Sequence, residues 1–164
     1  MKKIYVLLFL VFAWAISKSQ ITNIQFENIK QLIKEGDPKA NIDDKLIMVS
    51  FWTPANSESR DLNKEIKRVE GIYKTSKLKG GKNGIYFFNY CISDDVMNYK
   101  MAVKRDSLDS KASFFQNEES KAIVNSIDPN KTIQTILFTS AGEVVEMNTK
   151  KENVFKLILK QITR

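Results

Sequence analysis

The side chains in this sequence that could act as nucleophiles or proton carriers are few. There is one cysteine, Cys91, and no histidine in the 164 residues. The absence of histidine removes Ser-His-Asp and Cys-His machinery, imidazole general bases and nearly all zinc and haem ligand sets. One cysteine forms no disulfide within the chain and supports no intramolecular dithiol cycle. Ser57 and Ser59 lie in the segment Trp52-Thr-Pro-Ala-Asn-Ser-Glu-Ser-Arg60, where an apolar run meets a polar one. No base accompanies them and no Gly-x-Ser-x-Gly elbow surrounds them, so serine hydrolysis is excluded as a working reading. Asn56, Ser57 and Ser59 are read first as helix-capping residues, and second as the polar wall of a groove that binds a partner segment without reacting. Trp52 and Pro54 beside them are read first as plain packing, and second as part of an exposed partner-binding patch with Ser57. Asp94 and Asp95 are read as helix caps rather than metal ligands, and no metal or cofactor is expected.

Cys91 sits late in the apolar run Ile85–Ile92. Alternation places it on one strand face with Phe87 and Asn89, and Phe88, Tyr90 and Ile92 on the other. A buried, inert thiol is the first reading, because burial raises a thiol's pKa. The alternative is an accessible sensor or intermolecular thiol.

The elements that position these groups follow from periodicity. Phe26, Ile29, Leu32 and Ile33 predict a helix over about 24–35, ended by Gly36-Asp37-Pro38. Leu46–Trp52 is a short apolar run and predicts a central strand. Leu62, Ile66, Val69 and Tyr73 predict a helix over 57–76. A glycine-rich turn over 79–84 and an aromatic strand over 85–92 follow. A helix capped by Ser93-Asp-Asp95 is expected to run to Arg105, then a loop over 106–117. Glu118–Ser126 predicts a short helix with Ala122 and Ile123 inward, and Asp128-Pro-Asn130 a turn. Strands over 132–139 and 143–147 flank the turn Ala141-Gly142. A helix over 151–162 closes the chain, with Val154, Phe155, Ile158, Leu159 and Ile162 on one side. Strands separated by helices imply parallel pairing, and the last hairpin adds antiparallel strands.

Three segments in this order resemble the thioredoxin-like superfamily, and within it the exported bacterial TlpA- and ResA-like thiol-disulfide proteins. The first is Val49-Ser-Phe-Trp-Thr-Pro-Ala-Asn-Ser-Glu-Ser-Arg-Asp-Leu62, the second Ile85–Asp95, and the third Ile133-Gln-Thr-Ile-Leu-Phe-Thr-Ser-Ala-Gly-Glu-Val-Val145. The resemblance covers residues 45–162. It implies an α/β fold with a central mixed sheet flanked by helices. It also implies that the positions of the family's Cys-x-x-Cys read Asn56 and Ser59, and that its cis-proline position reads Gln134. In the family, the first cysteine's thiolate attacks a disulfide and the second resolves the mixed disulfide. Neither an amide nor an unactivated alcohol does this. At Gln134 a trans peptide is expected, since a non-proline cis bond costs about 2.5–4 kcal/mol. Two functions follow as expectations. The first is a redox-inactive domain that binds a polypeptide in the bacterial cell envelope. The second is an oxidoreductase working through Cys91 with a partner's thiol.

The N-terminus reads as a secretory signal over residues 1–19. Lys2 and Lys3 precede an apolar run from Ile4 to Ile16, and small residues stand at Ser17 and Ser19. The run is shorter than the roughly 20 residues that span a bilayer, and an uncleaved anchor, the protein's only expected link to a membrane, is the alternative. Residues 20–164 then make one domain in the periplasm or outside the cell. Loss of Lys2, Lys3 and Lys18 lowers the whole-chain charge of +7 by three. The remaining surplus is scattered and forms no arginine-rich patch, so nucleic acid is not an expected partner.

Overall fold

The computed structural model describes residues 26–73, 75–79, 83–109, 113–127 and 134–162. The predicted signal segment, the Gly80-Gly81 turn, the Asp128–Asn130 turn and the first residues of the strand predicted over 132–139 lie outside this range.

Chain order is α1 (helical over residues 26–36), β1 (Leu46–Trp52), α2 (Ser57–Tyr73), β2 (Ile85–Cys91), α3 (Val96–Arg105), β3 (Ser113–Phe115), α4 (Glu118–Ile127), β4 (Thr135–Phe138), β5 (Val144–Met147) and α5 (Lys151–Leu159). The strands form one mixed sheet in the order β3-β2-β1-β4-β5. β1 runs parallel to β2, from Leu46 opposite Ile85 to Trp52 opposite Cys91. β4 is antiparallel to β1, and β5 is antiparallel to β4.

All of β1 is buried, because helices cover both faces of the sheet, and that is why its sequence is apolar at every position but Ser50 rather than alternating. Ile47, Val49 and Phe51 of β1 meet Phe88 and Tyr90 of β2, with Ile29, Leu32 and Ile33 of α1 above them. Met48, Phe87 and Leu137 point the other way, against Leu62, Ile66 and Val69 of α2 and Val154 and Ile158 of α5. A third cluster, Trp52, Cys91, Ala102 and Leu108, lies against α3. The alternation expected for β2 is the one observed, with Phe87 and Cys91 on one side and Phe88 and Tyr90 on the other.

Three local expectations are corrected. The predicted loop over 106–117 contains β3, whose Ser113 pairs with Asn89 and Phe115 with Cys91. Three residues carry too little pattern to read as a strand alone, and the edge of β2 supplies the ladder. In α4 Ile123 packs against the core as expected, but Ala122 is exposed and the fully inward residues are Ser120 and Val124. Ser120 is inward because its Oγ accepts the Tyr90 hydroxyl at 2.8 Å and the Asn117 N–H at 2.8 Å, so its polar atom is satisfied. In α5, Leu159 is the last helical residue and is half exposed, and the chain then turns to pair Ile162 with Leu78.

Gly142 closes the β4–β5 hairpin at φ +88°, and a Cβ there would lie 2.5 Å from Cδ1 of Phe26. Both the backbone conformation and the ring forbid a side chain. Gly142→Ala is expected to destabilise the domain by about 1–3 kcal/mol from the backbone alone, read as a lower urea midpoint at unchanged m-value.

Candidate functional site at the start of helix α2

β1 delivers the chain into a turn over Thr53–Ala55, and Asn56 then starts α2. The Asn56 Oδ1 accepts the N–H of Ser59 at 3.0 Å, and the Asn56 carbonyl accepts the N–H of Arg60 at 3.2 Å. Asn56 is therefore the N-cap, a contribution of about 1 kcal/mol. Ser57 is the first helical residue and is exposed. The hydroxyl of Ser59 donates to backbone, with the Asn56 carbonyl at 3.0 Å and the Thr53 carbonyl at 3.3 Å. An alcohol whose proton is held by two carbonyls, with no base beside it, is a structural hydroxyl rather than a nucleophile.

The backbone of Gln134 is fastened on both sides. Its carbonyl accepts the N–H of Phe51 at 2.8 Å, and its own N–H donates to Asn148 Oδ1 at 2.8 Å. The second bond needs an N–H that proline lacks, so glutamine ties the start of β4 to the end of β5 in a way proline could not. The peptide bond preceding Gln134, expected to be trans, begins in a residue outside the described range.

Asn56, Ser59 and Gln134 meet. They line one cleft of about 470 Å³ together with Thr149 and Lys150, at the N-terminal ends of α2 and α5. Glu58, Asp61, Lys151 and Glu152 ring it with charge of both signs. Among the described residues no group of three or more acidic or sulfur side chains is arranged to hold a metal.

Two candidates for an exposed patch, Trp52 and Pro54, are packed instead. Trp52 is 1% accessible and packs in the α3 cluster, its ring 6.2 Å from that of Tyr99. Pro54 is buried as well. Strand parity is the reason for Trp52: it shares the face of Met48 and Ser50, which helices cover. Of the three candidates Trp52, Pro54 and Ser57, only Ser57 reaches the surface.

Cys91 stands apart from the cleft's lining. It is fully buried beside Trp52, Ala102 and Leu108, and burial pushes its thiol up to about 12. Almost no thiolate exists at neutral pH, and the thiolate is the reactive form. The native protein is expected to leave a maleimide or disulfide reagent unreacted at pH 7 on the timescale in which the urea-unfolded chain is fully labelled. Equal rates in both states would contradict the burial.

Two polar features were not foreseen. Ser50 Oγ donates to Asn63 Oδ1 at 2.5 Å, fully buried between β1 and α2. Arg60, in the first turn of α2, makes a two-pronged pair with Asp106 at the end of α3, at 2.8 and 3.1 Å. It fastens the helix that carries Asn56 and Ser59 to the helix over Trp52.

No family model and no curated protein matches the sequence. Solved structures do match. The thioredoxin domain of a thiol-disulfide oxidoreductase from Bacteroides vulgatus superposes with a TM-score of 0.62 and 14% identity, over 74% of this chain and 82% of that one. A thioredoxin-like protein from Parabacteroides distasonis gives a TM-score of 0.59 and 17% identity, over 75% and 88%. A secreted disulfide oxidoreductase from Mycobacterium tuberculosis gives 0.56 and 11%, over 73% and 84%. With β1 and β2 parallel, β4 antiparallel to β1, β5 antiparallel to β4 and the cleft at the start of α2, this chain has the thioredoxin-like fold.

Proposed function

We propose that this is an exported thioredoxin-like domain that binds polypeptide in the bacterial cell envelope and does not exchange thiols. The observation that carries the reading is the chemistry at the start of α2. An N-capping amide and a hydroxyl donated to backbone carbonyls stand at Asn56 and Ser59, the positions that the sequence resemblance aligns with the family's two cysteines. The chain's one thiol is buried and protonated. What remains at the site is a polar cleft bounded by Asn56, Ser59 and Gln134, with the surface for a partner segment and no group to react with it. Export is supported by the charged, apolar and small-residue order of residues 1–19, and by a similar structure from a secreted protein.

The test is the reduction of insulin by dithiothreitol in the presence of the exported protein. The expected rate equals that of dithiothreitol alone. Turnover above that background, abolished by Cys91→Ser, would instead establish the thiol-exchange reading. Binding is tested by selecting peptides from a displayed random library on the same protein. Peptides seated in the cleft lose affinity on Gln134→Arg, a change at an exposed side chain.

A further inference from the structure

Helix α3 turns a face to solvent that its neighbours do not use. Tyr99, Ala102 and Val103 point inward, against Trp52, Cys91 and Phe115. Outward, Met97 and Met101 are 64% and 56% exposed, and Val96 is 42% exposed. Met97, Lys100, Met101 and Lys104 follow one another at helical spacing and form a single stripe of alternating thioether and ammonium groups. Lys100 and Lys104 make no ion pair among the described residues. The acids at the start of the helix are engaged elsewhere, Asp94 with Lys121 at 3.0 Å and Asp95 with the Asn98 N–H at 2.9 Å. Arg105 adds a third cation at the end of the helix, 3.5 Å from Asp106.

A groove of about 390 Å³ runs beside the stripe, with Tyr99, Val103 and Leu108 as its apolar lining and Lys100 and Lys104 on its wall. The two lysines thus belong both to the ridge and to the groove. Large exposed apolar side chains grouped on one face mark contact surfaces, and methionine adapts its shape to what covers it.

We infer that the exposed face of α3 docks an acidic polypeptide segment, whose carboxylates meet Lys100 and Lys104 and whose apolar side chains cover Met97 and Met101 and enter the groove. Lys100 and Lys104, which make no ion pair among the described residues and stand between the apolar ridge and the groove, fix the sign of the partner's charge. The concavity favours a polypeptide over an anionic lipid surface, since a side chain enters a groove and a bilayer surface does not. The helix is about 15 Å long at 1.5 Å per residue, which suits two or three turns of a partner helix. This surface is separate from the cleft at Asn56 and Gln134, and the inference stands or falls apart from it.

The displayed-library selection tests it with a second set of variants. Lys100→Glu/Lys104→Glu reverses the charge, and Met97→Ser/Met101→Ser removes the ridge; all four side chains are exposed, so the fold is retained. A class of selected peptides rich in Asp and Glu with interspersed Leu, Phe or Met is expected. Each double variant should weaken it about tenfold, added salt should weaken it, and Gln134→Arg should leave it unchanged. Selected peptides that respond only to Gln134→Arg would overturn the α3 surface and leave the cleft reading intact. Peptides without acidic bias, or stronger binding to phosphatidylglycerol vesicles than to any peptide, would overturn it as well.

Discussion

Replacing Asn56 and Ser59 together with cysteine is expected to turn the protein into a dithiol that reduces insulin well above the rate of dithiothreitol alone. The scaffold for that chemistry is in place. Asn56 already stands at the N-cap of α2, and its side chain already accepts the N–H of residue 59. In the Asn56→Cys/Ser59→Cys variant, a thiolate at position 56 would meet the same unpaired N–H groups and the positive end of the helix dipole. A thiol shifted from about 8.5 to about 7 by such a site is roughly half ionised at pH 7 instead of a few per cent, a gain of about fifteenfold in the attacking form. That thiolate displaces one insulin sulfur, the thiol at 59 releases the second, and the resulting disulfide is reduced by dithiothreitol. The single variant Asn56→Cys, whose mixed disulfide only dithiothreitol can resolve, should turn over well below the double variant. Loss of the amide cap costs about 1 kcal/mol, too little to unfold a domain of this size. A folded double variant that never turns over would show that these positions are not the counterparts of the family's cysteines.

What could be read from the residues alone divides along physical lines. β1 and α2 were legible because a short apolar run and a 3.6-residue repeat are local signals, and they abut at Asn56. β3 was not, because Ser113–Phe115 becomes a strand only through its pairing with Asn89–Cys91. The inward place of Ser120 has no local signal, since the tyrosine hydroxyl that satisfies it lies 30 residues away. The meeting of Asn56, Ser59 and Gln134 followed from the family resemblance and from no local pattern. Trp52 and Pro54 take the packing alternative, which residues 52–60 alone do not decide because the helix that covers Trp52 lies beyond the next strand. The parity of Trp52 with Met48 and Ser50 was the available signal. Arg60 was noted in its motif, but its partner is 46 residues distant and had no signature.

That partner sets the largest stability effect expected from a surface-adjacent site. Asp106 is an acid at the C-terminal end of α3, where the helix dipole disfavours negative charge by about 0.3–1 kcal/mol. Its placement is explained by Arg60, whose guanidinium grips both carboxylate oxygens. The Asp106 side chain is 2% exposed and that of Arg60 18%. Asp106→Ala leaves the guanidinium mostly covered and unpaired, and is expected to cost about 3 kcal/mol, near the low end for a broken buried pair because Arg60 keeps an edge in water. For a domain of this size that is a fall of about 10 °C in Tm. Lys64, 3.5 Å from the carboxylate, softens the reciprocal change, so Arg60→Ala should cost less. Arg60→Met/Asp106→Leu should cost less than the two single changes added, because neither charge is left stranded. The pH dependence has a definite sign. The hydrogen bond from Arg60, with the charges of Arg60, Lys64 and Arg105, holds the Asp106 carboxyl below its usual range. The stabilisation is therefore complete above the unfolded value of about 4 and is lost as pH falls through the folded value. Urea unfolding below pH 4 should show a shallower acid slope for Asp106→Asn than for the natural protein. Parallel slopes, or a loss under 0.5 kcal/mol for Asp106→Ala at neutral pH, would mean that the two helices are held by the Trp52 cluster alone and that the position of α2's first turn does not depend on the pair.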